Sequence, residues 1–297
     1  MRLLSTLPLL FLPMLHPARA DVFGTSPSTV PRHSSFLIPH SSFHAPPDSA
    51  IFEEKKAIMA AHANATRAVQ TLAVAQSFLG APYVTGTLEG TSNEQLVVNL
   101  RQLDCWTQVE CSLALALAGP QGNFNDFQNY LKMLRYWGGN VGGYGSRIHY
   151  FSGWLLQAEK LGFVQDVTRD LGGVPYRKKI GYITARPQKY PKIKNKENLE
   201  ALKNAESRIN RHAWYFIPKS KVASKEHLLR EGDIIILTSA KADLDISHQG
   251  FAVRRNGRIH LLHASSLSKK VIVSALPLPQ YLAKQRGQSG IMVARVM

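Results

Sequence analysis

Apolar residues recur at helical spacing through much of the first half of the chain. The spacing predicts one helix over 51–79, which ends at Gly80. It predicts a second helix over 105–118, with Asp104 as its N-cap, and a third over 124–137. The first half of the chain is therefore predicted to be mainly helical.

From Gly232 onward the pattern is typical of β-strands. Residues 233–237 form a continuous apolar run, 247–254 alternate between apolar and polar, and 259–264 are again apolar. Asn256-Gly257, between the last two segments, is a two-residue hairpin turn sequence. Helices followed by antiparallel strands predict an α+β domain.

The beginning of the chain has the pattern of a secretory signal. Arg2 precedes an apolar run over 3–15, and Ala18-Arg19-Ala20 is a small-residue cleavage pattern. The run is shorter than the about 20 residues that a membrane span needs, and no later segment is long and apolar enough. We therefore expect residues 1–20 to be a signal peptide and the mature protein to be secreted, without stable membrane insertion, and periplasmic in a Gram-negative host.

The remaining chain divides into two parts. Residues 21–50 are rich in Ser, Pro and His and have no apolar period, so they are predicted to be a disordered leader. Residues 51–297 are sufficient for one domain with its own core, and no second linker divides them. We therefore expect a single catalytic domain with insertions.

The formal net charge is +16, and many of the cations lie between Arg177 and Lys196. Such a run attracts acidic partners. An exported protein is expected to meet the carboxylates of cell-wall peptides rather than nucleic acid. Any single lysine in the run is most simply explained as a solvated surface residue.

A glycine-rich run covers residues 138–145. It follows a predicted helix rather than a strand and lacks a Lys-Ser or Lys-Thr end, so it supports neither a dinucleotide fingerprint nor a phosphate loop. We predict a loop that gathers side chains into a substrate-binding surface, although such loops often only pack. The candidate substrate-binding residues are Ser146, Arg147, His149, Tyr150 and Trp154.

The chain has two cysteines, Cys105 and Cys111. On one helix they would be separated by about 9 Å of rise, which exceeds the about 7 Å limit for a disulfide. Cys105 falls at the predicted helix start, where backbone N–H groups favour a thiolate. Cys105 is therefore the candidate nucleophile, and Cys111 is predicted to be a core residue.

The predicted hairpin supplies a base for this cysteine. If Asn256-Gly257 is the turn, Gly250 faces His263, and His248 lies on the same side of the sheet. The two histidines are then diagonal neighbours, about 7–8 Å apart at the backbone. Gly250 has no side chain, so we expect it to leave the space between the two imidazoles open. This register predicts His248 as the base and His263 as the residue that orients it.

A zinc site is the competing chemistry. His248 and His263 could join Asp245 and His149 as ligands. No helix with a His-Glu-x-x-His sequence is present, and this alternative leaves Cys105 without a role. We therefore expect no metal and no other cofactor.

The ordered motifs resemble the NlpC/P60 superfamily of papain-like cysteine hydrolases. The short motifs are LGAPY over 79–83, LDC over 103–105, SHQG over 247–250 and HAS over 263–265. The longer strings SRIHYF over 146–151, DLDISH over 243–248 and LHASS over 262–266 resemble its DUF1460 branch, which is described as N-acetylmuramoyl-L-alanine amidase-like. The resemblance extends from about Leu72 to Val293.

The resemblance implies a papain-like fold in which a helix-borne cysteine packs on an antiparallel sheet. Cys105, His248 and His263 match the catalytic residues of the superfamily, and Tyr83 matches the tyrosine beside its oxyanion site. Gln249 stands where the superfamily usually has valine. The implied reaction is hydrolysis of the N-acetylmuramoyl-L-alanine bond in peptidoglycan fragments, through a thioester.

Two alternatives remain open at this stage. One is an endopeptidase that cuts between D-glutamate and the diamino acid of the same peptides. The other is a basic, non-catalytic wall-binding module that keeps the fold.

Overall fold

The computed structural model describes residues 47–90 and 93–297. The predicted signal peptide and nearly all of the predicted leader lie outside the described residues. The helices within the described part are α1 Asp48–Ala61, α2 Arg67–Gln76, α3 Cys105–Ala118, α4 Phe124–Arg135, α5 Phe151–Lys160, α6 Lys196–Arg211, α7 Val222–Lys225 and α8 Leu278–Ala283. None of them combines the length and apolarity that a membrane span needs.

The strands form one antiparallel sheet. Their bounds are β1 Val164–Asp166, β2 Val174–Pro175, β3 Tyr215–Pro218, β4 Ile234–Ser239, β5 Ile246–Arg255, β6 Arg258–Ser265, β7 Lys270–Val273 and β8 Gln288–Val296. The order across the sheet is β2-β3-β8-β4-β5-β6-β7, with β1 pairing to β8 beside β3. Helices and an antiparallel sheet in one domain agree with the predicted mixed fold class.

The central strand β4 is buried on both faces. Ile234 and Ile236 belong to the core between the sheet and the helices, whereas Ile235 and Leu237 belong to a second core on the other face. This double burial explains the continuous apolar run in the sequence, because neither face of the strand meets water.

The first predicted helix is two helices in the structure. The chain is helical over α1 and α2 but not between them, and the Thr66 hydroxyl accepts the Val69 N–H at the start of α2. A polar N-cap inside an apolar helical pattern therefore divides the predicted element. Helix α1 begins at Asp48, three residues before the predicted domain boundary.

The hairpin has the predicted register. Arg255 pairs with Arg258, and the ladder continues to Phe251 and Leu262. The turn residues Asn256 and Gly257 both have positive φ, 49° and 76°. Two left-handed residues in succession are what a two-residue turn between right-twisted strands needs.

The region between α4 and β3 departs most from the sequence prediction. Helices α5 and α6 were not predicted, and the glycine run 138–145 packs against α6 rather than forming an open loop. A Cβ on Gly145 would lie 2.5 Å from the Ala201 Cβ, so glycine is needed for the close approach of the two segments.

Candidate active site

Cys105 is the first residue of α3 and is half-buried. The preceding residue, Asp104, caps this helix. Its carboxylate accepts hydrogen bonds from the backbone N–H groups of Trp106 at 3.0 Å and Thr107 at 2.8 Å. The Thr107 hydroxyl in turn accepts the Asp104 N–H at 2.9 Å, which completes a capping box. The capping box fixes the backbone on both sides of the thiol.

The surroundings of the Cys105 sulfur disfavour the thiolate. Burial and, to a smaller extent, the negative charge of Asp104 raise the pKa of Cys105 to about 12. The backbone N–H groups of Gln249, Cys105 and Trp106 act in the opposite direction, because they stabilise the thiolate. The helix start thus favours the thiolate as predicted, but burial and the capping carboxylate outweigh it.

The two predicted histidines meet across the hairpin. Nε2 of His248 is 2.6 Å from Nδ1 of His263, and the ring planes are at 87°. Burial lowers the pKa of His263 to about 4, and burial together with the neighbouring His263 lowers the pKa of His248 to about 3. Both imidazoles are therefore neutral at physiological pH, so one ring donates and the other accepts in this bond.

The thiol lies beside this pair. The backbone group on the sheet that lowers the Cys105 pKa belongs to Gln249, the residue directly after His248. Since Nε2 of His248 is occupied by His263, Nδ1 is the His248 nitrogen without a hydrogen-bond partner among the described residues. Cys105 therefore lies next to the strand that carries His248, and His248 in turn is bonded to His263.

Gly250 has a different role from the one expected. The sequence suggested that it leaves space between the imidazoles. A Cβ at Gly250 would instead lie 2.4 Å from the Leu262 carbonyl oxygen and 2.8 Å from the His263 Cβ. The glycine is required because the backbones of β5 and β6 approach closely at this point.

Gln108 joins the helix of the cysteine to the strand of the second histidine. Its Oε1 atom accepts the Ala264 N–H at 2.6 Å, and the Gln108 side chain is fully buried. Ala264 directly follows His263, so this bond fixes α3 against β6 one turn away from the thiol. Gln108 was not among the predicted site residues. Its position one turn after the candidate nucleophile, inside an apolar helix, nevertheless indicates a buried hydrogen-bonding role.

Tyr83 lies close to the thiol. It forms an isolated bridge with Leu103, and the Val84 N–H donates to the Leu103 carbonyl at 3.1 Å. Burial raises the pKa of Tyr83, and the nearby Cys105 raises it further. The segment that carries Tyr83 is therefore paired with the residues that lead into the helix of the cysteine.

Two of the predicted substrate-binding residues are core residues, and that part of the prediction is wrong. Trp154 is 0% exposed and stacks on Phe151. Tyr150 is 2% exposed, and its hydroxyl donates to Glu206 at 2.7 Å and accepts the Ile183 N–H at 2.7 Å. Both side chains stabilise the packing of the domain and have no surface to offer a substrate.

The other three candidates are also engaged within the protein. Arg147 is buried and pairs with Glu89 and Glu94, and His149 bonds to the Tyr144 carbonyl at 2.8 Å. The Ser146 hydroxyl accepts the Gly142 N–H at 3.0 Å. Only Arg147 and His149 reach a cavity of about 170 Å³, which Asp104 and Trp106 also line.

A second cavity, of about 400 Å³, adjoins the histidines. Its lining includes His248, His263, Tyr281 and a group of serines. The Tyr281 ring meets the His263 ring edge-on, with 5.4 Å between centroids. Sequence analysis missed Tyr281, because it lies on α8, outside every motif that carried the family resemblance.

The zinc alternative is not supported by the arrangement of the side chains. Among the described residues, no three His, Cys, Asp or Glu side chains are grouped so that they could hold an ion. Asp245 is turned toward α5, where its carboxylate accepts the N–H and the hydroxyl of Ser152 at 2.9 and 2.7 Å. His149 is held by Tyr144, as described above.

Comparisons with known proteins agree with this fold. A solved N-acetylmuramoyl-L-alanine amidase from Bacteroides uniformis ATCC 8492 is 35% identical, with a TM-score of 0.74, over 77% of this chain and 98% of that chain. A putative xylanase from Bacteroides fragilis is also 35% identical, with a TM-score of 0.71, over 75% and 98% of the two chains. Comparison with curated protein sequences gives no match.

A more distant structure supports the fold alone. A DUF1460 protein from Legionella pneumophila is 22% identical, with a TM-score of 0.64, and covers 84% of this chain and 97% of its own. The family model described as N-acetylmuramoyl-L-alanine amidase-like matches residues 73–291. Because this match spans most of the sequence, the chain belongs to the AmiA-like family of N-acetylmuramoyl-L-alanine amidase-like proteins.

Proposed function

We propose that this protein is a cysteine amidase that hydrolyses the bond between N-acetylmuramic acid and L-alanine in peptidoglycan fragments. The observation that carries the proposal is the 2.6 Å bond between His248 and His263 beside a thiol at a helix start. A nucleophile, a base and a group that orients the base are the parts that acyl transfer through a thiol needs. The amidase-like family supplies the substrate class.

The reaction begins from a neutral thiol and a neutral imidazole. Since burial disfavours both charged forms, the proton passes from the Cys105 sulfur to Nδ1 of His248 only as the sulfur attacks the lactyl carbonyl. His248 then donates this proton to the nitrogen of L-alanine, and the C–N bond breaks. The muramoyl group remains on the sulfur as a thioester, which a water molecule hydrolyses with His248 again acting as base.

His263 orients the base. The Nδ1 atom of His263 is hydrogen-bonded to Nε2 of His248. The other ring nitrogen of His248, Nδ1, therefore remains available to the thiol. The Gln108 bond to Ala264 keeps the His263 strand in position against the cysteine helix. His263 is therefore a positioning residue in this mechanism.

The carbonyl oxygen of the substrate acquires negative charge during the attack. We assign the backbone N–H of Cys105 as one donor to it, because the capping carboxylate accepts from the N–H groups of Trp106 and Thr107 and not from that of Cys105. We assign the Tyr83 hydroxyl as a second donor, since Tyr83 interacts electrostatically with Cys105. Donors that are already in place stabilise the oxyanion without reorganisation.

The same proposal includes the superfamily and the location of the protein. The helix-borne cysteine packed against β5 and β6 supports a papain-like NlpC/P60 fold. The signal-peptide pattern over 1–20 supports export, to the periplasm in a Gram-negative host, where peptidoglycan fragments occur.

The decisive experiment is mass spectrometry of the products from a defined muramoyl tripeptide that contains L-alanine, D-glutamate and a diamino acid. We expect free N-acetylmuramic acid and an intact tripeptide. Cys105→Ala should form neither product, whereas the matched variant Cys111→Ala should form both. Release of the diamino acid alone would establish the endopeptidase, and binding without any product would establish the wall-binding module.

Thiol labelling tests the nucleophile independently of the substrate. Cys105 is half-buried, whereas Cys111 is 1% exposed, so iodoacetamide should modify Cys105 much faster and abolish activity. Peptide mapping measures the modification of each thiol. Equal labelling of both, or labelling of Cys105 with full activity retained, would contradict the assignment.

A further inference from the structure

The cavity beside the two imidazoles, called here the histidine cavity, differs chemically from the cavity on the cysteine side. Its lining contains serines, Gln285, Gln288 and Tyr281, together with His248 and His263, but no Lys, Arg, Asp or Glu. The cavity next to Asp104 and Trp106 is instead lined by charged side chains that include Glu89 and Arg147. Thus one cavity with an uncharged polar lining and one with a charged lining adjoin the proposed catalytic residues.

The histidine cavity has unused hydrogen-bonding capacity. His263 is 3% exposed, and its Nε2 atom is buried without a partner among the described residues. The Oε1 atom of Gln288, another lining residue, is also buried and unpaired. Buried polar atoms normally have partners, so these atoms indicate that a polar group occupies the cavity when the protein functions.

The mechanism determines which part of a substrate lies on each side. The acyl half becomes bonded to the Cys105 sulfur and therefore stays beside the cysteine. The amine of the leaving half takes its proton from His248 and therefore lies beside the base. The histidine cavity is the cavity that the base lines.

We propose that the histidine cavity binds the leaving half of the substrate, which is the peptide that begins with the amine released from the acyl group. This inference rests on the proposed amidase function. Uncharged hydroxyl and amide side chains suit the backbone amides of a peptide, which both donate and accept hydrogen bonds. Ile272 and Leu276 in the lining provide an apolar wall for a small side chain such as that of alanine.

Tyr281 lines the cavity beside His263. Its ring contacts His263, and Cys105 is close enough to raise the pKa of Tyr281, which burial brings to about 12. Its hydroxyl has no hydrogen-bond partner among the described residues. The neutral hydroxyl is therefore available to the first amide of the leaving peptide.

The test compares three substrates that differ in one half at a time. They are N-acetylmuramoyl-L-alanyl-D-glutamate, the methyl ester of N-acetylmuramic acid, and D-lactyl-L-alanyl-D-glutamate, which lacks the sugar. The variant Ala275→Trp fills the cavity from an exposed position in its lining, and Ala61→Trp is a control at an exposed alanine outside it. Thermal unfolding verifies that both variants fold.

We expect Ala275→Trp to lower kcat/KM at least tenfold for both peptide substrates and to leave the methyl ester within twofold of the wild type. Ala61→Trp should not change any of the three. Ser266→Trp, at a second exposed lining position, should repeat the pattern of Ala275→Trp.

Three results would overturn the assignment. A lower kcat/KM on the two muramoyl substrates alone would place the sugar in the histidine cavity. An equal decrease on all three substrates would mean that the cavity does not distinguish the two halves. An unchanged kcat/KM on all three would mean that the cavity is empty during catalysis. Failure of the proposed function looks different. In that case the wild-type protein would not release L-alanyl-D-glutamate, or Cys105→Ala would still release it.

Discussion

The β5–β6 hairpin and the segment from Trp137 to His212 show opposite relations between sequence and structure. In the hairpin, alternation and a two-residue turn predict the register, and the register brings His248 and His263 into contact. In the middle segment, aromatic and basic residues around a glycine run suggested a binding surface, yet Tyr150 and Trp154 are buried.

The separation in sequence between interacting residues explains why the hairpin was predicted and the middle segment was not. The hairpin partners are close in sequence, so turn chemistry alone fixes which residues face each other. In the middle segment, Arg147 pairs with Glu89, Tyr150 with Glu206, and Tyr176 with the Asp245 carbonyl. Such partners are far apart in sequence, and no local pattern specifies them. A cluster of aromatic and charged residues is therefore weak evidence for a binding surface.

The largest expected effect is the difference in lost activity between two histidine variants, one in each region. His248→Ala should lower kcat/KM by about 10⁴-fold, because it removes the proposed base. His149→Ala should lower it by less than about tenfold, because His149 bonds to the Tyr144 carbonyl and takes no part in proton transfer. Steady-state kinetics on the muramoyl peptide measures both. Comparable losses would mean that the middle segment belongs to the catalytic machinery.

A second prediction concerns the stability of the middle segment. Trp154→Ala should lower the free energy of unfolding by about 3–5 kcal/mol, because it removes a fully buried indole. Leu267→Ala, at a side chain that is 92% exposed, should change it by less than about 0.5 kcal/mol. Chemical denaturation gives both values. A stable Trp154→Ala with weakened substrate binding would restore the binding surface expected from sequence.

A third prediction tests the orienting role of His263. His263→Asn keeps a hydrogen-bonding group near Nε2 of His248, so it should retain about tenfold more activity than His263→Ala. The comparison uses kcat at saturating substrate, with circular dichroism as the control for folding. Equal loss in both variants, at the level of His248→Ala, would make His263 the base and reverse the two roles.

A fourth prediction concerns the dependence of stability on pH. The folded-state pKa values of His248 and His263 are lowered to about 3 and about 4, from the ordinary 6.5. As the pH falls through 6.5, the unfolded chain takes up these protons first, so the stability contribution is complete above that pH and is lost progressively down to about pH 3. The double variant His248→Gln/His263→Asn should have a flatter profile of melting temperature against pH. Identical profiles would place the acid sensitivity elsewhere.

Local patterns predicted more of the candidate site than of the whole fold. Helix α3 has the predicted bounds, because Asp104 and Gly119 mark its ends. Helix α6 was not predicted, because charged residues dominate it and only a narrow face, with Leu202 and Ile209, is buried. The pKa of Cys105 could not be predicted either, because it depends on burial beneath elements that are distant in sequence.

The bond between Gln108 and Ala264 connects two elements that are separated by more than half of the chain. It cannot exist until the helical part has docked on the sheet, so the amide hydrogen of Ala264 reports on that docking. Its exchange with solvent deuterium should require opening of the whole domain, whereas the amides around the hairpin turn should exchange through local fraying. The polypeptide therefore brings the thiol and its proposed base together in one cooperative step, and a partly folded chain would carry a cysteine without the histidine pair beside it.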